Sequence, residues 1–144
     1  MISIRILGLD LGTRTLGLAI SDKTGMIATS LKTIRFEDSN YDSLIPILKK
    51  IKEEYKVDYF VLGLPKNMNN TLGPRAEETI MFQKKLESSL GVQVELQDER
   101  LTTVEATNYM LEANVSRKKR KKKIDSVAAN IILQTYLDKM KRRD

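Results

Sequence analysis

The sequence predicts an α/β protein built on a five-stranded mixed sheet, an antiparallel meander plus two parallel strands, with helices on both faces. Three observations carry that expectation. The first three apolar segments are joined by short turns, the rest of the chain alternates helical and extended patterns, and two segments are apolar on both faces. The 144 residues are expected to form one domain, residues 1–144, with a core that needs no covalent staples.

The first strand is expected over Ile4–Asp10. Ile4, Ile6, Gly8 and Asp10 fall on one side of it and Arg5, Leu7 and Leu9 on the other. A carboxylate at the end of a buried strand needs a reason, because an unpaired buried charge costs several kcal/mol or neutralises itself, on the order of what a polar group loses in an apolar medium. Gly8 and Gly12 remove side chains at two-residue spacing on either side of Asp10, which leaves room for a large ligand. The chain turns through Gly12–Thr15 and returns as Leu16–Asp22; after the Lys23-Thr24-Gly25 turn, Met26–Ile34 makes the third strand.

Leu44, Leu48, Ile51 and Tyr55 recur at helical spacing, with Asp42 or Ser43 as N-cap and Pro46 in the first turn. Val57–Leu64 is a short apolar run that stops at Pro65, and Lys66–Pro74 is a polar loop rich in amides. A helix follows over Arg75–Leu90, stopped by Gly91. Val92, Val94 and Leu96 alternate in a fifth strand that ends in Asp98-Glu99-Arg100. Thr102 and Glu105 have capping-box spacing for a helix to about Ala113, with Asn114 at its end. The last helix is expected over Ile124–Met140, with Asp125, Ala128, Ala129 and Ile132 on one face. With the first, fourth and fifth strands parallel, Asp10, the 65–74 loop and Asp98 or Glu99 share one sheet edge, where ligands bind in such folds.

The chain has no cysteine and no histidine, which excludes disulfides, thiolate nucleophiles, Cys/His zinc sites and imidazole acid–base chemistry. Any metal should be a hard, oxygen-seeking one such as Mg²⁺ or Mn²⁺. Asp10, Asp98 or Glu99, and Asp125 can converge on such ions, and paired ions activate water and stabilise the oxygen departing from a phosphodiester. Taken singly, Asp125 also reads as a helix cap and Asp98 as a turn residue. The net charge is +6, and the seven consecutive basic residues Arg117–Lys123 exceed that surplus. Such a block self-repels, stays solvated and suits a polyanion. With Arg14, Arg75 and Arg100 it makes nucleic acid the expected partner, Lys121, Lys122 and Lys123 among the contacts. No apolar run approaches the roughly 20 residues that span a membrane, and no signal peptide is visible. A cytoplasmic protein with no membrane partner is expected, either a monomer or a homodimer.

LGLDLGTRTLGLAISD, GLPKNMNNTLGPRAEE, LQDERLTT and KKIDSVAANIILQTYL, spread in order over nearly the whole chain, resemble the YqgF/RuvX family of ribosomal-RNA-processing nucleases and Holliday junction resolvase-like proteins. The resemblance implies an RNase H-like fold and 5′-end maturation of pre-16S rRNA, on the ribosome or its precursor, with branched DNA as the other substrate. It places the catalytic and metal-binding acids on Asp10, Glu99 and Asp125, with Asp98 in reserve. Arg14 is followed by Thr15 where many members have a second basic residue, and Asn69-Asn70 stand where many have Asp-Gly. Two other readings stay open: LGLDLGT resembles the phosphate loop of actin, heat-shock and sugar-kinase ATPases, and the basic block alone fits a non-catalytic RNA- or ribosome-binding protein.

Overall fold

A computed structural model describes residues 4–65, 73–98 and 117–143, with only the backbone described at 117–126 and 141–143. The strands are β1 (Ile6–Leu11), β2 (Thr15–Ser21), β3 (Ala28–Arg35), β4 (Tyr59–Leu64) and β5 (Val94–Asp98). Among the described residues three helices accompany them, α1 (Leu44–Tyr55), α2 (Pro74–Leu90) and α3 (Arg117–Arg143), and a 3₁₀ turn at Tyr41–Ser43 leads into α1. The sheet order is β3-β2-β1-β4-β5. β1–β2 and β2–β3 are antiparallel, while β1–β4 and β4–β5 are parallel. The expected meander with two added parallel strands is therefore present, and the C-terminal ends of β1, β4 and β5 lie along one edge.

Strand alternation sorts the core into two layers. Leu7, Leu9, Leu16, Leu18, Phe60 and Leu62 face α1 and α2, where Leu44, Leu48, Phe82 and Leu86 cover them. Ile6, Ala19 and Val61 face α3 and meet Ala129, Ile132, Leu133 and Leu137. Each such leucine contributes roughly 1.5–3 kcal/mol on burial, so both layers fix the register of β1. Gly8 lies directly under α3: a Cβ there would stand 2.7 Å from Leu133 Cβ and 3.2 Å from the Ala129 carbonyl oxygen. The space cleared at Gly8 is thus occupied by α3 and does not admit a ligand, contrary to the expectation from spacing.

Two further departures have local causes. Ser43 precedes α1 but makes no side-chain cap, because its hydroxyl donates to the Asn40 carbonyl (2.7 Å) inside the 3₁₀ turn. The basic block is the first part of α3, which begins at Arg117, seven residues before the expected start at Ile124. Lys and Arg are strong helix formers, and the turns packed on the sheet extend through them, since propagation costs far less than nucleation. Gly91 does end α2, with a left-handed φ of 61° and its N–H donating to the Glu87 carbonyl. The helix expected over Thr102–Ala113 lies outside the described residues. Among the described residues no helix is long and apolar enough to cross a membrane.

Candidate active site at the C-terminal edge of the sheet

Asp10 occupies the next-to-last position of β1, partly exposed, on the face that Ile6 and Gly8 turn toward α3. Its partner across β2 is Gly17. On the other side Leu9 pairs with Leu62, so the parallel register puts Gly63 level with Asp10. Both cross-strand neighbours of the carboxylate are therefore glycines. Gly17 and Gly63 flank the carboxylate across the sheet, where sequence spacing showed only Gly8 and Gly12 along the strand. The signal exists in the sequence, as one glycine in each neighbouring strand, but reading it requires the pairing register. Gly12 serves the turn, its N–H donating to the Thr15 carbonyl (2.7 Å).

α3 runs toward this carboxylate. Leu137 packs with Ile6, and Ala129 and Leu133 sit over Gly8, so the helix advances N-terminally as β1 advances C-terminally. Four helical residues rise about 6 Å, and two strand residues advance about 6.6 Å. Leu137 at Ile6 and Leu133 at Gly8 thus bring the turn at Ala129 level with Asp10, and the helix backbone at position 125 lies one further turn along, beyond the end of β1. The side chains of Asp125, Lys121, Lys122 and Lys123 lie outside the described residues, as do Glu99, Arg100 and the Asn67/Asn69/Asn70 loop.

Asp98 ends β5 opposite Leu64. That register gives it the face of Leu62 and Phe60, toward α1 and α2, whereas Asp10 faces α3. The two carboxylates are on opposite sides of the sheet. Among the described residues no three acidic side chains are grouped as a metal site.

The expected cations take different positions. Arg14, in the β1–β2 turn, stands 3.8 Å from Asp38; both side chains are well exposed (75% and 59%), so the pair contributes little and leaves Arg14 available to an anion. Arg75 is engaged: its Nη2 donates to the Leu11 carbonyl at 2.9 Å, tying the first turn of α2 to the last residue of β1. Glu78, in the same helix, accepts from the Tyr41 hydroxyl (2.9 Å). Burial, with the bond to Glu78, raises the Tyr41 hydroxyl above its usual range, so it stays a neutral donor. Arg75 and the Tyr41–Glu78 pair thus clamp α2 beside the end of β1.

Comparison with known proteins bears on this arrangement. A family model described as RuvX, Holliday junction resolvase, matches residues 4–139. A protein of Clostridium botulinum (strain Hall) named "Putative pre-16S rRNA nuclease" is 51% identical over 139 residues, 96% of this chain and 100% of that protein. Proteins of the same name from Geobacillus sp. (strain WCH70) and Listeria innocua are each 50% identical over 135 residues, 94% of this chain and 98% of theirs. Among solved structures, Thermus thermophilus RuvC in complex with a Holliday junction aligns with a TM-score of 0.57 at 13% identity, covering 95% of this chain and 96% of that one. Fowlpox virus resolvase with Holliday junction DNA aligns with the same score at 14% identity, covering 95% and 99%. At such identities the likeness is one of fold, the RNase H-like fold.

Proposed function

The chain belongs to the RuvX family of Holliday junction resolvases, and from that premise we propose that it is a metal-dependent nuclease cutting structured RNA in 5′-end maturation of pre-16S rRNA. The observation that carries the reading is Asp10, held at the C-terminal edge of a core strand between Gly17 and Gly63, with α3 running over the strand toward the same edge and carrying position 125 in its N-terminal part. The side chains on offer to an ion here are oxygen donors, because the chain lacks thiols and imidazoles. That donor chemistry fits Mg²⁺ or Mn²⁺.

Asp10, Glu99 and Asp125 are the residues that would hold the metal. Asp98 is turned toward α1 and α2, away from the Asp10 face, which leaves it the weaker candidate beside Glu99. When bound, divalent ions supply an activated water and charge stabilisation at the phosphodiester. The polypeptide does the rest. Asp10 is preset by two packed faces of β1, so its carboxylate needs no reorganisation. Arg75 fixes the strand end that carries it. Arg14, Arg100 and Lys121, Lys122 and Lys123 are the cations that hold the phosphate backbone. Residues 1–144 act as one nuclease domain, as a monomer or homodimer, with the precursor ribosome as the setting.

A second reading, cleavage of branched DNA, is favoured by the family's own description as a Holliday junction resolvase. Incubating the purified protein with precursor 16S rRNA and with a four-way DNA junction, each with and without Mn²⁺, separates the two. Mn²⁺-dependent cutting of the rRNA precursor is expected. Cutting of the junction alone would move the substrate to DNA, and binding of both with no cutting of either would make the protein a non-catalytic RNA binder.

A further inference from the structure

Between β5 and the C-terminal half of α3 lies a cavity of about 400 Å³ that the nuclease chemistry does not use. Tyr59, Glu95 and Gln97 line it from the sheet, and Tyr136 and Lys139 from the helix. It opens on the same face as Asp10. Gln97 pairs with Gly63, itself level with Asp10, so Gln97 and Asp10 are two strands apart, roughly 10 Å at ordinary strand spacing. From Gln97 the cavity descends along β5 toward Tyr59. We propose that this cleft receives an unpaired nucleobase of the substrate strand, a short way along the chain from the scissile bond; the proposal rests on the nuclease reading.

Gln97 is the main reason. It is a polar side chain only 5% exposed, and its Oε1 accepts from Lys139 Nζ at 3.3 Å. An ammonium can only donate, so this bond fixes which end of the amide faces Lys139 and directs Nε2 the other way. Among the described residues Nε2 has no protein acceptor, and it is not sealed from the cleft, so its N–H is on offer to whatever occupies the cleft in place of water. A carbonyl or ring nitrogen on the edge of a base supplies that acceptor.

The surroundings fit the same ligand. Glu95, two residues back on the same face, accepts from Gln93 with one carboxylate oxygen and keeps the other for an exocyclic amine. Tyr59 and Tyr136 meet edge to face, with ring centroids 6.2 Å apart and hydroxyls 3.1 Å apart, forming a rigid aromatic wall. Burial, and the bond to Tyr136, raise the Tyr59 hydroxyl far above its ordinary range, so the wall stays uncharged. Aromatic surface beside a donor and an acceptor is how single-stranded bases are read, and Lys139 gives the adjoining phosphate a cation. The volume is within the range of small-ligand clefts.

The test needs neither metal nor cleavage. Anisotropy titrations without metal would measure the affinity of the full-length protein for short single-stranded RNAs carrying each of the four bases at each position, beside DNAs of the same sequences. The wild type is expected to prefer one base at one position by about tenfold, within the range of a good edge contact, on RNA and DNA alike. Gln97→Leu should shrink that preference to less than about twofold while keeping the salt dependence of binding, which reports phosphate contacts. Glu95→Gln, at a less buried position, should change which base is preferred and guards against a folding defect in the first variant. A wild type without base preference, a preference that survives both substitutions, or one seen on RNA only would overturn the proposal. Failure of the wild type to cut RNA would leave this result standing, and disappearance of the base preference would leave the cutting reaction standing.

Discussion

At the scale of single residues, Arg75 changes role between sequence and structure. As an arginine beside a polar loop it reads as a phosphate contact, but its guanidinium donates to the Leu11 carbonyl, one residue beyond Asp10. On the proposed function it becomes a positioning residue, acting on the acid through the strand end. Arg75→Ala should therefore lower kcat by roughly ten- to a hundred-fold, the scale set by a displacement of about 1 Å in a catalytic group. RNA affinity and its salt slope should stay as in the wild type, and Arg75→Lys, which restores a donor, should recover part of the rate. Replacing Lys121, Lys122 and Lys123 together by Ala should do the opposite. Binding should weaken across sequences, and the salt slope should flatten by about 0.7–0.9 for each phosphate no longer neutralised. If Arg75→Ala flattens the salt slope while kcat holds, Arg75 contacts phosphate after all.

At the scale of elements, the packing of α3 on β1 decides where Asp10 and the helix meet. Gly8 is the pivot, since Leu133 Cβ and the Ala129 carbonyl leave no room for a side chain there. Gly8→Ala should destabilise the protein by roughly 1–3 kcal/mol, the usual cost of overpacking a core, read as a lower midpoint in urea with an unchanged slope. A midpoint unchanged from wild type would mean that α3 does not press on the strand. The same packing shows what a sequence can and cannot display. The apolar residues on both faces of β1, the apolar run of β4 and the Gly91 stop of α2 are local signals, and each points to the right element. The start of α3 is not legible in the same way. Seven consecutive like charges read as a solvated run, whereas their helix propensity and the packed turns after them carry the helix back to Arg117. The glycines around Asp10 escape sequence spacing for a different reason. Neighbours along a strand are visible in sequence, but neighbours across a sheet, Gly17 and Gly63, appear only with the register.

At the scale of the whole molecule, one topology serves both the fold and the proposed chemistry. Because β1, β4 and β5 are parallel, their C-terminal ends share an edge, and a helix lying antiparallel to β1 brings its N-terminal half to that same edge. The order of elements is legible in the sequence, since a meander followed by alternating helices and strands admits few arrangements. The side of the sheet that Asp98 takes is not, because it depends on the pairing register of β5. The base cleft follows from the same topology: α3 packs over the β1 side of the sheet, which leaves the α3-facing surface of β5 to polar side chains, Gln97 among them.

The central claim is that Asp10 is a metal-binding acid of a nuclease and not a residue of the fold. The most direct measurement is Mn²⁺-dependent cleavage of precursor 16S rRNA by Asp10→Asn beside the wild type, with melting curves of both. The account predicts a melting temperature within a few degrees of wild type and cleavage reduced by about a hundred-fold or more, since even the outer partners of metal ligands commonly matter by roughly 10–100-fold. A folded Asp10→Asn protein that cuts at the wild-type rate would contradict it.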